Sequence, residues 1–276
     1  MNKKLHLALF AILITFSSFS QDKEKIKGSR NVITELTEVA KFNRLVVGED
    51  FEIKLLQGFT PSVQIEADDN LFKSVAFDVQ EGSLKFNKLQ RVTSHKKFEI
   101  TVVFVDSLNT VELKDNSEIT SANALNLEDF TLITNKSTEA YLTLKSTNFK
   151  LIQNEKSKAE LNVTAENVSI ELNDGTNLKA LINASEININ MPKKAHAKIE
   201  GDTNSLNITT DNNAVLKAEK LTAKDSNLIT NGKADVYIEV TKELTIEASG
   251  STETYIYGSP KIGLNKFEGE AIIRKK

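Results

Sequence analysis

Eight stretches of the chain align on one another at a spacing of about nineteen residues, and a sustained period of that length calls for a stacked, quasi-one-dimensional fold. With Asp115, Asn135, Asn154, Asn173, Pro192, Asp211, Asn231 and Ser249 as anchors, the steps are 20, 19, 19, 19, 19, 20 and 18 residues. Five and three positions before an anchor stands an apolar pair, as in Phe130/Leu132, Phe149/Leu151, Val168/Ile170, Ile187/Ile189, Leu206/Ile208 and Leu244/Ile246. Seven positions after it runs a second apolar column of Ala122, Leu142, Leu161, Ala180, Ile199, Ala218, Ile238 and Ile256.

Within each repeat the spacing is that of strands. Ala159, Leu161 and Val163 alternate with Glu160 and Asn162, and Leu178, Ala180 and Ile182 alternate with Lys179 and Leu181. Alternation at period two puts one set of side chains on one face of a strand. Thr, Val and Ile fill the strand positions, while Asn, Asp, Ser and Gly gather at the turns. Repeats in one orientation stack as parallel neighbours about 4.8 Å apart. The expected fold is therefore all-β, a parallel β-solenoid with rungs of about nineteen residues. The anchor column fits a corner, because Asn and Asp tolerate left-handed backbone and can hydrogen-bond in ladders along the stack. Pro192 suits such a corner better than a central strand.

Residues 1–20 have the layout of a secretory signal peptide: Lys3 and Lys4, an apolar run from Leu5 to Phe16, and Ser18-Phe19-Ser20 as a small-x-small cleavage site. The run is short for a membrane span, so no transmembrane anchor is expected after processing. Removing it leaves 33 basic against 38 acidic residues, a balance that argues against generic nucleic-acid binding. Cysteine is absent, which excludes disulfides and thiolate metal sites. Residues 21–41 read as a polar lead-in, 42–110 as a less regular N-terminal β region suited to capping the solenoid, and 111–276 as the regular rungs.

At residues 42–84 the chain resembles a known family. Phe42, Val47, Phe51-x-Ile53-x-Leu55-x-Gln57-Gly58, then Val63-x-Ile65-Glu66-Ala67-Asp68-Asp69-Asn70-Leu71, then Gly82-Ser83-Leu84 are similar to the bacterial auto-transporter adhesin family with the head GIN domain, common in the Bacteroidetes. Ser249-Gly250-Ser251 and Tyr255-x-Tyr257-Gly258-x-Pro260 resemble its closing pattern. The resemblance covers roughly residues 30–276 and implies a secreted, single-stranded, right-handed parallel β-helix, with no catalytic residues to carry over. Thr252 and Glu253 depart from the Gly and Asp that relatives prefer there.

Chemistry is sparse. His95 and His196 are the only histidines after residue 20, and neither has a partner at metal or triad spacing, so no catalytic, metal or cofactor site is expected. Asp68-Asp69-Asn70 offers oxygens for a cation, but a turn between strands uses the same residue types. Stacking multiplies surface columns. Six positions after the anchors come Glu160, Lys179, Lys198, Lys217, Tyr237 and Tyr255, and two further on come Glu200, Glu219 and Glu239. The lysines are candidates to grip an anionic glycan or headgroup and the tyrosines to stack on sugars; mutual neutralisation of Lys by Glu is the competing reading. The expected function is a non-enzymatic exported module of the periplasm, outer-membrane surface or extracellular space, an adhesin or binding protein acting through its exposed sheet. Its expected partner is a cell-surface glycan or an envelope protein. A structural envelope-assembly role and a polysaccharide-active enzyme are the alternatives.

Overall fold

The computed structural model describes residues 23–276; the expected signal peptide lies outside them. The described chain is a parallel β-solenoid of about nine turns with rungs of about nineteen residues. Six long strands make its regular part: Glu139–Gln153, Lys158–Leu172, Asn177–Met191, His196–Thr210, Val215–Thr230 and Asp235–Ala248. Each pairs in parallel with the next. Every long strand turns a corner midway, and the sequence shows why. In Lys158–Leu172, Ala159, Leu161 and Val163 point inward, two consecutive exposed residues follow at Glu166 and Asn167, and then Val168, Ile170 and Leu172 point inward. The one-residue change of phase folds the strand into two faces around a single apolar interior. Leu161, Ile199 and Ile238 of the second apolar column are buried, at 6%, 0% and 0% exposure.

The turns refine two expectations. The anchor side chains do form a ladder: Asn154 Nδ2 donates to Asn135 Oδ1 at 2.9 Å, Asn173 Nδ2 to Asn154 Oδ1 at 3.0 Å, and Ser249 Oγ to Asn231 Oδ1 at 2.6 Å. The left-handed backbone, however, sits one residue beyond the anchor, at Lys136, Glu155, Asp174, Asn212, Gly232 and Gly250. An anchor with ordinary φ aims its amide along the stack, and the next residue makes the corner. Asp115 is itself left-handed and pairs by its carboxylate with Lys136 at 2.6 Å, so it matches Lys136 and not Asn135. Leu113 accordingly pairs with Thr134 and Glu118 with Glu139, a step of 21 residues. Ala122 therefore leaves the inner column and lies exposed in a bend.

The N-terminal part stacks out of chain order. The rung made by Arg44–Val47 and Glu52–Gln57 is followed along the axis by Thr110–Leu113 and Glu118–Ser121. On its other side lie Ser83–Lys88 and Phe98–Phe104, both parallel to it. The intervening chain closes this end with antiparallel strands, Ser62–Asp68 on Phe98–Phe104 and Val75–Gln80 on Ser83–Lys88. Val32–Glu38 adds antiparallel to Ser62–Asp68 and so joins the main sheet, while Lys25–Lys27 of the lead-in pairs in parallel with Arg91–Ser94 in a separate two-stranded sheet. The larger side chains expected here pack together at this end, where the rings of Phe51 and Phe77 lie 5.7 and 5.6 Å from that of Phe86.

Asp68, fully buried, fastens this end. Its carboxylate accepts the amides of Arg30, Lys96 and Lys97 at 3.0 to 3.2 Å. Burial pushes the carboxyl up, but those amides, with His95 nearby, outweigh it and hold Asp68 below the ordinary range. Asp69 accepts from Ser29 Oγ and Asn31 Nδ2, and Asn70 Oδ1 accepts the Ser29 amide. These oxygens clasp the lead-in, which supports the turn reading of Asp68-Asp69-Asn70.

Candidate binding face

The first half of each long strand places one outward residue per rung at the same height. Pairing runs Tyr141 to Glu160, Lys179, Lys198, Lys217, Tyr237 and Tyr255, and ends at Arg274. All six residues of the expected column are thus brought into one line. Tyr141 extends it and was legible in the sequence, since it too stands six positions after an anchor, Asn135.

The charges along this line are largely engaged. Lys179 Nζ lies 2.7 Å from Glu160 on the rung before it, and Lys198 Nζ lies 2.9 Å from Glu200 on its own strand. The hydrogen bond and charge of Glu200 raise the Lys198 ammonium, and Lys198 in turn lowers Glu200. Among the described residues Lys217 makes no ion pair. Neutralisation thus accounts for two of the three lysines. The expected Glu200–Glu219–Glu239 column does not form. Glu200 pairs in register with Lys220, and Thr222 pairs with Glu239. A bulge between Ala218 and Thr222 shifts the register and drops Glu219 out of line. Gly201 takes a φ of +123°, which packs its backbone against Ile182, where an added Cβ would meet the Ile182 carbonyl oxygen at 2.1 Å.

A shallow groove of about 500 Å³ follows the first rungs of the column, lined by Tyr141, Thr143, Glu160, Lys179, Leu181 and Lys198 among others. Leu181 is 44% exposed within it, an apolar contact among charges. At the other end Tyr237 and Tyr255 stack, and the Lys276 ammonium lies 5.2 Å from the centroid of Tyr255. The phenols of Tyr141 and Tyr255 donate to Glu139 and Glu253, and these bonds, with burial, push both phenols up to about 12. His196 is exposed on the neighbouring outward column, as its parity predicts. Among the described residues no group of three or more His, Cys, Asp or Glu is placed to hold a metal ion. The arrangement offers donors, acceptors and ring faces repeated at rung spacing, a surface suited to extended ligands.

A stack of about nine such turns, closed at one end by antiparallel strands, places the chain among the parallel β-solenoids. The chain belongs to the family described as "Putative auto-transporter adhesin, head GIN domain", whose model matches residues 41–181 and 162–260. Similar solved structures include a putative adhesin from Parabacteroides merdae, 15% identical, with 92% of this chain and 99% of that one covered and a TM-score of 0.65. A putative lipid binding protein from Parabacteroides distasonis is 14% identical, with 92% and 100% covered and a TM-score of 0.63. A putative adhesin from the same species is 18% identical, with 92% and 100% covered and a TM-score of 0.59. At these identities the likeness establishes the fold alone. No curated protein matches the chain.

Proposed function

We propose that the protein is an exported, non-enzymatic adhesin or binding module that holds a cell-surface glycan or envelope protein against the Tyr141–Tyr255 line. The observation that carries this reading is the in-register column of Tyr, Glu and Lys across seven strands, exposed from Tyr141 to Lys217 and half-buried at Tyr237 and Tyr255. Repetition at one spacing suits a polymer, where many modest contacts add by multivalency. Catalysis calls for groups converging in one pocket, whereas the ionisable groups here are spread along the axis and mostly tied to a neighbour. The family description and the adhesin names of two structural neighbours support the same class. Export rests on residues 1–20, and among the described residues no helix is long and apolar enough to cross a membrane.

Purified protein on a glycan array, with a parallel screen for glycan cleavage, tests the proposal. Acidic polymeric glycans are expected to bind, and Lys179, Lys198 and Lys217 changed together to Gln to weaken them. Affinity unchanged in the triple variant removes the lysines from the site, and turnover of any glycan overturns the non-enzymatic reading.

A further inference from the structure

The two ends of the solenoid are unlike. At the C-terminal end, Lys261–Phe267 pairs only with the second half of Asp235–Ala248, and Ile272–Lys275 only with Glu253–Tyr257. Ile262, Leu264 and Phe267 continue the inner columns of Leu244, Ile246 and Ala248, yet they are 42%, 54% and 49% exposed where the residues beneath them are at most 1%. They are the apolar interior laid open, beside strand edges with unpaired amides and carbonyls. At the N-terminal end the outermost strands are Val32–Glu38 and Val75–Gln80, each also paired on one side only among the described residues. Ile33 and Leu36 on the first are 40% and 64% exposed.

Charge differs between the outermost strands of the two ends, although Lys73 leads into the first pair and Glu268 and Glu270 lie in the turn that joins the second. The outermost N-terminal strands carry Glu35, Glu38 and Asp78 and no Lys or Arg. The outermost C-terminal strands carry Lys261, Lys266, Arg274 and Lys275 and no Asp or Glu. The pairing also places matching edges over one another. Val32–Glu38 stands on the column of Phe98–Phe104 and Glu52–Gln57 and runs in the rung direction, since two antiparallel pairings separate it from Phe98–Phe104. Ile272–Lys275 ends that same column. Val75–Gln80 and Lys261–Phe267 end the other.

We propose that copies of this chain stack head to tail, the basic outermost strands of one solenoid docking on the acidic outermost strands of the next. A second copy shifted along the axis sets carboxylates over ammonium and guanidinium groups in both columns and covers Ile262, Leu264 and Phe267 with an edge strand. A symmetric pair of C-terminal ends sets base on base, and like charges facing each other disfavour that geometry. The contact is heterologous, so it propagates into a linear array. It is independent of whatever the lateral face binds.

Sedimentation velocity over a concentration series, at low and high salt, tests this with three forms of the purified chain. Wild type is expected to gain mass with concentration and to lose that gain in high salt. Lys261→Glu/Lys266→Glu/Lys275→Glu makes the outermost strands acidic at both ends, and Glu35→Lys/Glu38→Lys/Asp78→Lys makes them basic at both. Each alone is expected to associate at least about tenfold more weakly. Their equimolar mixture has complementary ends again and regains the wild-type behaviour. Wild type that stays monomeric at every concentration, variants that associate as well as wild type, or a mixture that fails to recover overturns the proposal. Should a triple variant melt early, Leu264→Glu reads the same end, and undiminished association in it is equally fatal.

Discussion

The rings of Tyr237 and Tyr255 lie one on the other, centroids 4.4 Å apart and planes 6° from parallel, on consecutive rungs of the exposed line. The Tyr255 phenol hydrogen-bonds Glu253, and that bond, with burial and the Glu253 charge, moves it from 10.0 up to about 12. A proton held more tightly in the folded chain adds stability below pH 10, and this is lost as pH rises toward 12. Tyr255→Phe should therefore flatten the alkaline loss of stability and remove one late-ionising phenol from an ultraviolet titration. If the phenol lost from the titration is instead one that ionises in the ordinary range, the Glu253 contact is disproved.

Inner and outer positions of one strand should respond very differently to substitution. Ile199→Asp places a carboxylate between stacked apolar side chains and should cost several kcal/mol, at least about 3. Lys198→Ala, one residue away and exposed, should leave the melting temperature unchanged within error. Thermal unfolding of the two variants decides it, and equal losses would reverse the face assignment.

The Asn ladder should contribute measurably. Asn154 both donates to Asn135 and accepts from Asn173, so Asn154→Ala removes two hydrogen bonds and leaves Asn135 Oδ1 without this donor, while Asn173 Nδ2 keeps its bond to Glu171. A loss of about 1–3 kcal/mol is expected from urea unfolding. Asn162→Ala, on an exposed face outside the ladder, is the control; a matching loss there would mean the ladder adds nothing.

Gly201→Ala should destabilise by about 1–3 kcal/mol, because the left-handed φ and the backbone of Ile182 both refuse a Cβ. Hydrogen exchange should show the opening confined to the rungs around Ile182 and Gly201. A neutral substitution would mean the backbone of Ile182 and Gly201 can relax.

Asp68 supplies an acid-side test. Its carboxyl is held low in the folded chain, so its contribution is present above its ordinary pKa of 3.8 and lost as pH falls through the depressed folded value. Asp68→Asn should lower stability at neutral pH and reduce the acid sensitivity of unfolding. The amides of Arg30, Lys96 and Lys97 should exchange faster. A variant that unfolds with the wild-type pH profile would remove Asp68 from the clasp.

The regular rungs were legible in the sequence because every rung writes the same apolar columns, and the column from Glu160 to Tyr255 followed from that register. Three features were not. The 21-residue first step hid behind Asp115, whose residue type mimics the anchor it does not occupy. The bulge at Ala218–Thr222 displaced Glu219 through backbone geometry that no single residue announces. The rung of Arg44–Val47 and Glu52–Gln57 lies between two rungs later in the chain, and a repeat search assumes that neighbours in sequence are neighbours in space. Gln57 shows the cost of that assumption. Its side-chain amide exchanges two hydrogen bonds with the backbone of Asn126, at 2.7 and 2.8 Å, a pairing that only the stacked arrangement reveals.

The interleaved N-terminal rungs fix where such a chain can change length. Duplicating or deleting a segment there would break pairings on both sides of Arg44–Val47, so that end behaves as a foundation poured in one piece. The four long strands from Glu139–Gln153 to His196–Thr210 pair with no shift of register and are interchangeable courses, each meeting its neighbours through the same columns. Adding one lengthens the molecule by about 4.8 Å and supplies one more outward residue to the line, while both ends keep their character. Reach and local chemistry can therefore drift independently among homologues, with the rung count serving as a ruler.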